Sequence, residues 1–358
     1  MLKLFLYIIE FYFFNFIINE SIKTKIQKDV QNLLYITISY GNPKNYIRPI
    51  ISTSEYQFAI NKEIKNLSVN SKTFHLFQEK KDKIYFSETI YFQIYNNNKE
   101  YEINNVSLVF YKDFKIKNEQ GYLGLALNSN NKEFYSENNA SSLLENILMK
   151  LNNSKKVFYL DIQESFIEIG DYPLEYKSIK NKTLNLIYKS CKINNNLLIN
   201  SNNKYDIGYF CNLDSLFFKN YNDSYIKYSI NLNSKICLEC NAIYTTIEFL
   251  YFLKQTYFYN EILNNQCELK SNDGYYFFVC KSGYNYKNKF SITLIFNEYS
   301  FKIKSKDLFL NYTDENIYFL IAFSPNKKGW SLGYTLLKNY ITIFDIENNE
   351  IGFIPKKN

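Results

Sequence analysis

The chain has 358 residues, a net charge of +7 and 19% aromatic residues, a composition that excludes a disordered, charge-dominated protein. Its length suffices for one large or two medium domains. With one histidine, His75, and one arginine, Arg48, a multi-histidine metal site is excluded, and a histidine-dependent triad would have to use His75. Lysine supplies nearly all the positive charge without a long basic cluster, so we expect no nucleic-acid binding.

The N-terminus carries a short apolar segment. Lys3 precedes an apolar run that ends at Ile18 and is interrupted by Glu10. A basic residue followed by a short apolar run is typical of a signal peptide, and the run is shorter than the about 20 residues of a spanning helix. We predict a signal peptide over residues 1–20 and a short linker over residues 21–32. An uncleaved membrane anchor and a buried strand or helix are the alternatives for residues 1–20.

Short segments of alternating apolar and polar residues, rich in aromatic and β-branched side chains, follow along the chain. This pattern predicts half-buried β-strands. The predicted strands span residues 33–41, 56–60, 89–95, 107–116, 156–162, 291–296, 299–304, 317–323 and 339–346. Apolar residues at helical spacing predict two helices, over residues 141–151 and 245–258. The sequence therefore predicts an all-β, two-lobed or sandwich-like protein with few helices.

Six cysteines lie in the second half of the chain, and an even number behind a signal peptide suggests up to three disulfides. We predict the pairs Cys191–Cys211 and Cys267–Cys280, because they close short loops. The single C-x-x-C motif of Cys237 and Cys240 has no second motif to complete a zinc ribbon. Glycosylation sequons begin at Asn66, Asn105, Asn181, Asn222 and Asn311. Together these features predict a secreted or endomembrane, vacuolar-lumen glycoprotein.

Four segments carry a family resemblance. They are ISYGNPKNYIRPII (38–51), QGYLGLA (120–126), FIEIGDYP (166–173) and the stretch from Trp330 to Phe353, which contains W-S-L-G and, further on, F-D-I-E-N-N-E-I-G-F. In this order they resemble the signature segments of the pepsin-like aspartic peptidases, family A1. The C-terminal stretch resembles that family's W-I-L-G-D signature over about 25 residues.

The resemblance implies a bilobal β fold with a deep cleft, here with lobes over residues 33–165 and 166–358. In the family each lobe supplies one aspartate from a D-T/S-G loop, and the two carboxylates share one proton to activate water. A flap hairpin with a tyrosine closes over the substrate. No cofactor or metal is implied, and we expect a monomer.

The motif that carries the chemistry departs from the family, because the sequence contains neither Asp-Thr-Gly nor Asp-Ser-Gly. Counting from Gly41 without gaps places Ser52 at the first aspartate position and retains Thr53 after it. Glu55 would need a rebuilt turn to reach the dyad. We place Glu239 at the second aspartate position, with Ala242 following it at the cleft.

The flap segment, residues 74–83, is shorter than the family pattern and has no glycine. Phe77 or Gln78 stands where the flap tyrosine would be, and we expect His75 to be structural or exposed. Tyr334 replaces the acidic residue after the W-I-L-G signature.

These departures favour a pseudo-peptidase that binds a peptide or protein ligand in the cleft, with Thr53, Phe77, Gln78 and Ala242 as candidate contacts. A lone carboxylate facing a serine lacks the general acid that the second carboxylate supplies. The first alternative is an active aspartic endopeptidase that uses Glu239 and Glu55. The second is a surface glycoprotein that uses the fold as a scaffold. Membrane attachment is expected only if the N-terminal segment is uncleaved.

Overall fold

The structure is a computed structural model that describes residues 21–29, 32–54, 58–61, 71–79, 83–96, 99–111, 121–126, 142–151, 155–181, 189–193, 198–199, 205–206, 208–220, 225–286, 290–296, 299–311 and 313–356. The predicted signal peptide, Glu55 and the sequon residues Asn66 and Asn222 lie outside these residues. The side chains of Phe77 and Gln78 are likewise outside the described part of the chain.

Strands dominate the described residues of the first half. They are β1 (Ile22–Lys28), β2 (Leu34–Ile36), β3 (Ile38–Tyr40), β4 (Asn45–Ile47), β5 (Ile50–Ser52), β6 (Phe58–Asn61), β7 (His75–Glu79), β8 (Lys83–Gln93), β9 (Glu100–Tyr111), β10 (Gly121–Gly124), β11 (Val157–Asp161) and β12 (Phe166–Ile169).

The second half continues in the same way. Its strands are β13 (Lys189–Lys192), β14 (Leu198–Ile199), β15 (Tyr205–Asp206), β16 (Tyr209–Asn220), β17 (Tyr225–Ile236), β18 (Ile243–Thr246), β19 (Cys267–Asn272), β20 (Tyr275–Lys281), β21 (Phe290–Phe296), β22 (Tyr299–Lys304), β23 (Phe309–Asn311), β24 (Asn316–Phe319), β25 (Ile321–Ser324), β26 (Trp330–Leu332), β27 (Tyr340–Asp345) and β28 (Glu350–Pro355).

Helices are short and few among the described residues. They are α1 (Leu143–Lys150), α2 (Leu174–Lys180), α3 (Ile247–Thr256), α4 (Tyr259–Leu263) and α5 (Tyr334–Leu337). The two predicted helices correspond to α1 and α3. Helix α1 begins at a capping box, in which Ser142 and Glu145 satisfy each other's backbone N–H groups, and it buries Leu143, Leu144 and Ile147.

Two large sheets build two lobes. The larger sheet runs β13-β28-β27-β11-β12-β1 and continues through β2 into the strands of the first half. The other large sheet runs from β22 to β23 and consists entirely of strands from the second half. The all-β, two-lobed prediction is therefore confirmed. The predicted boundary between residues 165 and 166 lies in the β11–β12 turn, within the sheet that the halves share.

The first part of the predicted linker, residues 21–32, forms strand β1. Ile22, Thr24 and Ile26 are buried, and they alternate with Lys23 and Lys25 along the strand. The strand pairs with β12 on one side and with β2 on the other. The period-two pattern of I-K-T-K-I was visible in the sequence and is the pattern expected of a strand.

All three disulfides are formed. The predicted pairs Cys191–Cys211 and Cys267–Cys280 are confirmed, and Cys237 pairs with Cys240. Disulfides are typical of extracellular and lumenal proteins, which fold in oxidising compartments. Within the described residues, no helix is long and apolar enough to cross a membrane.

Aromatic side chains fill much of the interior. Phe158 and Phe344 stack with ring centroids 4.4 Å apart, and Trp330 packs 4.9 Å from Phe249. Trp330 is 2% exposed. This packing fixes β26 beside β17. The loop that follows β17 is part of the candidate site.

Candidate functional site

The same four-strand pattern occurs once in each lobe. In the first lobe the order is β5-β10-β6-β9, and in the second it is β17-β26-β18-β25. In both, the first pair of strands is parallel and the second pair is antiparallel. The loop after β5 carries Ser52 and Thr53, and the loop after β17 carries residues 237–242.

The hydrogen-bond register shows which residues of the two loops correspond. Ser52 pairs with Gly124 in the parallel ladder between β5 and β10. In the second lobe Ile236 pairs with Leu332, and the backbone N–H of Cys237 donates to the Leu332 carbonyl at 3.0 Å, which continues the ladder to Gly333. Leu123-Gly124 corresponds to Leu332-Gly333, so Cys237 is the counterpart of Ser52.

This register moves the second aspartate position from Glu239 to Cys237. Leu238 then corresponds to Thr53 and Glu239 to Ser54, the place of the glycine in the D-T/S-G pattern. A gap-free count from a nearby glycine was possible in the first lobe, whereas the second loop was placed only as the segment before the predicted helix, two residues too far along the chain.

Thr53 connects the two lobes. Its hydroxyl donates to the Ile236 carbonyl at 2.8 Å and accepts from the Leu238 N–H at 3.2 Å. The sequence predicted Thr53 as a ligand contact. In the structure its side chain is fully buried and contacts the other lobe. Its counterpart Leu238 has no hydroxyl with which to return the contact.

The Glu239 carboxylate also crosses between the lobes. Its Oε2 accepts from the Thr53 N–H at 2.9 Å and lies 3.3 Å from the Thr53 hydroxyl. Charge-assisted hydrogen bonds of this kind hold a carboxylate more firmly than bonds between neutral groups. On the other loop the Ser52 hydroxyl accepts from the Ser54 N–H at 3.0 Å, and Ser52 is buried.

The second loop is closed by the Cys237–Cys240 disulfide and packed against Gly333. The Cys240 carbonyl accepts from the Tyr334 N–H at 2.9 Å. A Cβ atom at position 333 would collide with the backbone carbonyl oxygens of Cys240 and Ala242, so this position requires glycine. The Tyr334 hydroxyl, at the position of the family's acidic residue, accepts from the Lys28 ammonium at 3.0 Å.

A cavity of about 500 Å³ opens beside this loop in the second lobe. Asn241 and Ala242 form its edge nearest the loop, and the tip of the β19–β20 hairpin forms another edge. Half-buried aromatic side chains supply part of its walls, namely Tyr244, Tyr275, Phe277 and Tyr318. Burial, together with the nearby Tyr275, raises the pKa of Tyr244 to about 12, so its hydroxyl stays protonated and donates to Asn241 Oδ1 at 2.8 Å.

The sequence predicted Ala242 as a ligand contact in the cleft, and the structure places it at the edge of this cavity. The sequence analysis did not single out the four aromatic residues. They are distributed over strands β18, β20 and β24, so no local pattern in the sequence brings them together. His75 is exposed on β7, where its backbone pairs with Ser87. Among the described residues, no group of three or more His, Cys, Asp or Glu side chains could hold a metal ion.

Residues 221–356 match the family model described as "Eukaryotic aspartyl protease". Residues 221–356 are thus similar to a eukaryotic aspartyl protease domain. The matched segment of this domain includes the loop after β17, the cavity and the segment from Trp330 to Phe353.

A curated relative extends the same comparison. A stretch of 100 residues is 35% identical to Plasmepsin VII of Plasmodium berghei (strain Anka). The match covers 27% of this chain and 21% of Plasmepsin VII, so the chain spans about a fifth of that relative's length.

Solved structures of similar fold cover nearly the whole chain. Edgp aligns with a TM-score of 0.66 at 10% identity, over 93% of this chain and 94% of its own. Conglutin gamma, a basic 7S globulin from lupine seeds, aligns with a TM-score of 0.66 at 13% identity over 94% and 95%. Basic 7S globulin from soybean aligns with a TM-score of 0.64 at 12% identity over 94% and 97%. At these identities the likeness concerns the fold alone.

Proposed function

We propose that this aspartyl protease homologue does not hydrolyse peptides and instead binds a peptide or protein segment in its cleft. The observation that carries the proposal is the pair of corresponding positions, Ser52 and Cys237. Aspartic peptidase chemistry needs two carboxylates that share a proton, one acting as base and the other as acid. A hydroxyl and a disulfide-bonded sulfur can supply neither function.

The hydrogen bonds of Glu239 support the same conclusion. Its carboxylate reaches the Ser52–Thr53 loop of the other lobe. One carboxylate oxygen accepts hydrogen bonds from the Thr53 N–H and hydroxyl. A carboxylate held in this way stabilises the junction between the lobes and has no second carboxylate among the described loop residues with which to share a proton.

The cavity beside the second loop supports a binding function. Its volume of about 500 Å³ lies within the range of small-molecule and side-chain sites, about 300–1,000 Å³. Aromatic walls with a few polar groups, here Asn241, Asn272 and Asp273, are typical of surfaces that bind peptides with large side chains.

Binding can be tested with a display library of unstructured peptides screened against the purified protein. Ala242→Trp fills the cavity edge, and Tyr275→Ala removes one wall without adding bulk. We expect both to weaken capture of the selected peptides, whereas Leu174→Trp on exposed helix α2 leaves capture unchanged. Equal capture by all four proteins, or cleavage of the selected peptides, would contradict the proposal.

The proposed location is the lumen of the secretory or vacuolar system, or the exterior of the cell. The three disulfides support an oxidising compartment, and the apolar segment over residues 1–20 supports entry by a signal peptide. N-terminal sequencing and glycosidase treatment of the protein from its native source test the cleavage and the glycosylation.

A further inference from the structure

The Cys237–Cys240 disulfide differs from the other two disulfides in its access to solvent. Cys240 is partly exposed, whereas the remaining cysteines are almost completely buried. Their exposed fractions are 2% for Cys191, 0% for Cys211, 3% for Cys237, 4% for Cys267 and 1% for Cys280. We propose that Cys237–Cys240 is a thiol–disulfide exchange site, at which a thiol reductant attacks the Cys240 sulfur. This inference does not depend on whether the cleft binds a ligand.

Access decides which sulfur reacts. Exchange requires a thiolate to approach one disulfide sulfur along the sulfur–sulfur bond, and its rate depends on how open that sulfur is. Cys237 lies at the end of the buried ladder between β17 and β26, with its N–H bonded to Leu332. Cys240 lies at the edge of the loop, one residue before Asn241 at the cavity. The geometry therefore makes Cys240 the attacked sulfur and Cys237 the leaving group.

The exchange proceeds in two balanced steps. A reductant thiolate forms a bond to Cys240 Sγ, the disulfide breaks, and Cys237 Sγ leaves with the electron pair and takes a proton. A second reductant thiolate then attacks the mixed disulfide and releases the Cys240 thiol. The protein disulfide is reduced to two thiols, and the reductant is oxidised to its own disulfide.

The position of this disulfide connects its redox state to the junction between the lobes. The ring that it closes contains Leu238 and Glu239, whose N–H and carboxylate contact Thr53. Reduction opens the ring and removes the constraint on both contacts. The neighbouring residues Asn241 and Ala242 lie at the cavity, so the same change reaches the candidate ligand site.

Selective reduction tests the proposal on the full chain. The folded protein is exposed to dithiothreitol or reduced glutathione for increasing times, alkylated and mapped by peptide mass spectrometry. We expect Cys237 and Cys240 to be labelled at least about tenfold faster than the other four cysteines, because access controls the rate. The far-ultraviolet circular dichroism and Trp330 fluorescence should stay native during this phase. Equal labelling of all six cysteines, or labelling only after these signals are lost, would overturn the proposal.

A matched pair of variants identifies the reactive sulfur. Cys237→Ser leaves Cys240 as a free thiol, and Cys240→Ser leaves the buried Cys237. With oxidised glutathione, we expect Cys237→Ser to gain one glutathione by intact-mass measurement and Cys240→Ser to gain none while folded. Modification of Cys240→Ser alone, or equal modification of both, would overturn the assignment of Cys240 as the attacked sulfur. If either variant does not fold, the mixed disulfide with glutathione, trapped by acid during reduction of the unaltered protein and mapped by peptide mass spectrometry, identifies the attacked cysteine.

Discussion

The hydroxyl of Thr53 forms hydrogen bonds between the lobes, and the effect of removing it on stability can be predicted directly. Thr53→Val keeps the shape of the side chain but removes the atom that bonds the Ile236 carbonyl and the Leu238 N–H. Both partners belong to buried residues, so the variant leaves one acceptor and one donor unsatisfied. At about 1–3 kcal/mol for each orphaned group, we expect the free energy of unfolding to fall by about 2–6 kcal/mol.

Thr53→Ser is the matched control, because it keeps the hydroxyl and removes one buried methyl group. We expect this variant to lose only about 1 kcal/mol. The assay is equilibrium unfolding in urea, followed by circular dichroism and by the fluorescence of Trp330, the one tryptophan of the chain. Equal destabilisation by valine and serine would refute the argument that the hydroxyl bonds carry this contact.

Two further variants probe a buried turn and an ion pair. Gly333→Ala drives a Cβ into the carbonyl oxygens of Cys240 and Ala242 and should cost at least about 1–3 kcal/mol, whereas Gly283→Ala, in open space, should cost little; equal urea midpoints would contradict this. Burial tends to raise the pKa of Asp171, but hydrogen bonds from Lys155 and Lys177 outweigh burial and hold the pKa below the ordinary value of an aspartate. A depressed carboxyl pKa stabilises the fold above its unfolded value, and this stabilisation is lost as pH falls through the folded value. The stability difference between wild type and Asp171→Asn should therefore shrink on acidification below about pH 4, and a difference that is constant with pH would contradict the assignment.

The strands could be predicted from the sequence because their cause is local. Alternating apolar residues in segments such as 299–304 and 339–346 form β22 and β27 at nearly the predicted bounds. Short cysteine spacing was likewise enough to predict two of the disulfides. The same local pattern in residues 22–28 was overlooked, because its position behind an apparent signal peptide suggested a linker.

The candidate site depends on contacts that are distant in sequence. Thr53 and Glu239 meet across 186 residues, and no local pattern indicates this hydrogen bond. The correspondence between Ser52 and Cys237 likewise depends on the register of β26 against β17, which only the folded sheets reveal. The predicted position, Glu239, therefore lies two residues further along the chain than the register gives.

The measurement that tests the central claim most directly is hydrolysis. Purified protein is incubated at acid pH with a mixed peptide library, and new termini are counted by mass spectrometry, with and without pepstatin. Glu239→Gln and Glu55→Gln serve as matched variants, because each removes one carboxylate of the alternative dyad and keeps the side-chain size. We predict no cleavage above the rate without protein for any of the three proteins. Pepstatin-sensitive cleavage by the unaltered chain that either variant abolishes would contradict the account.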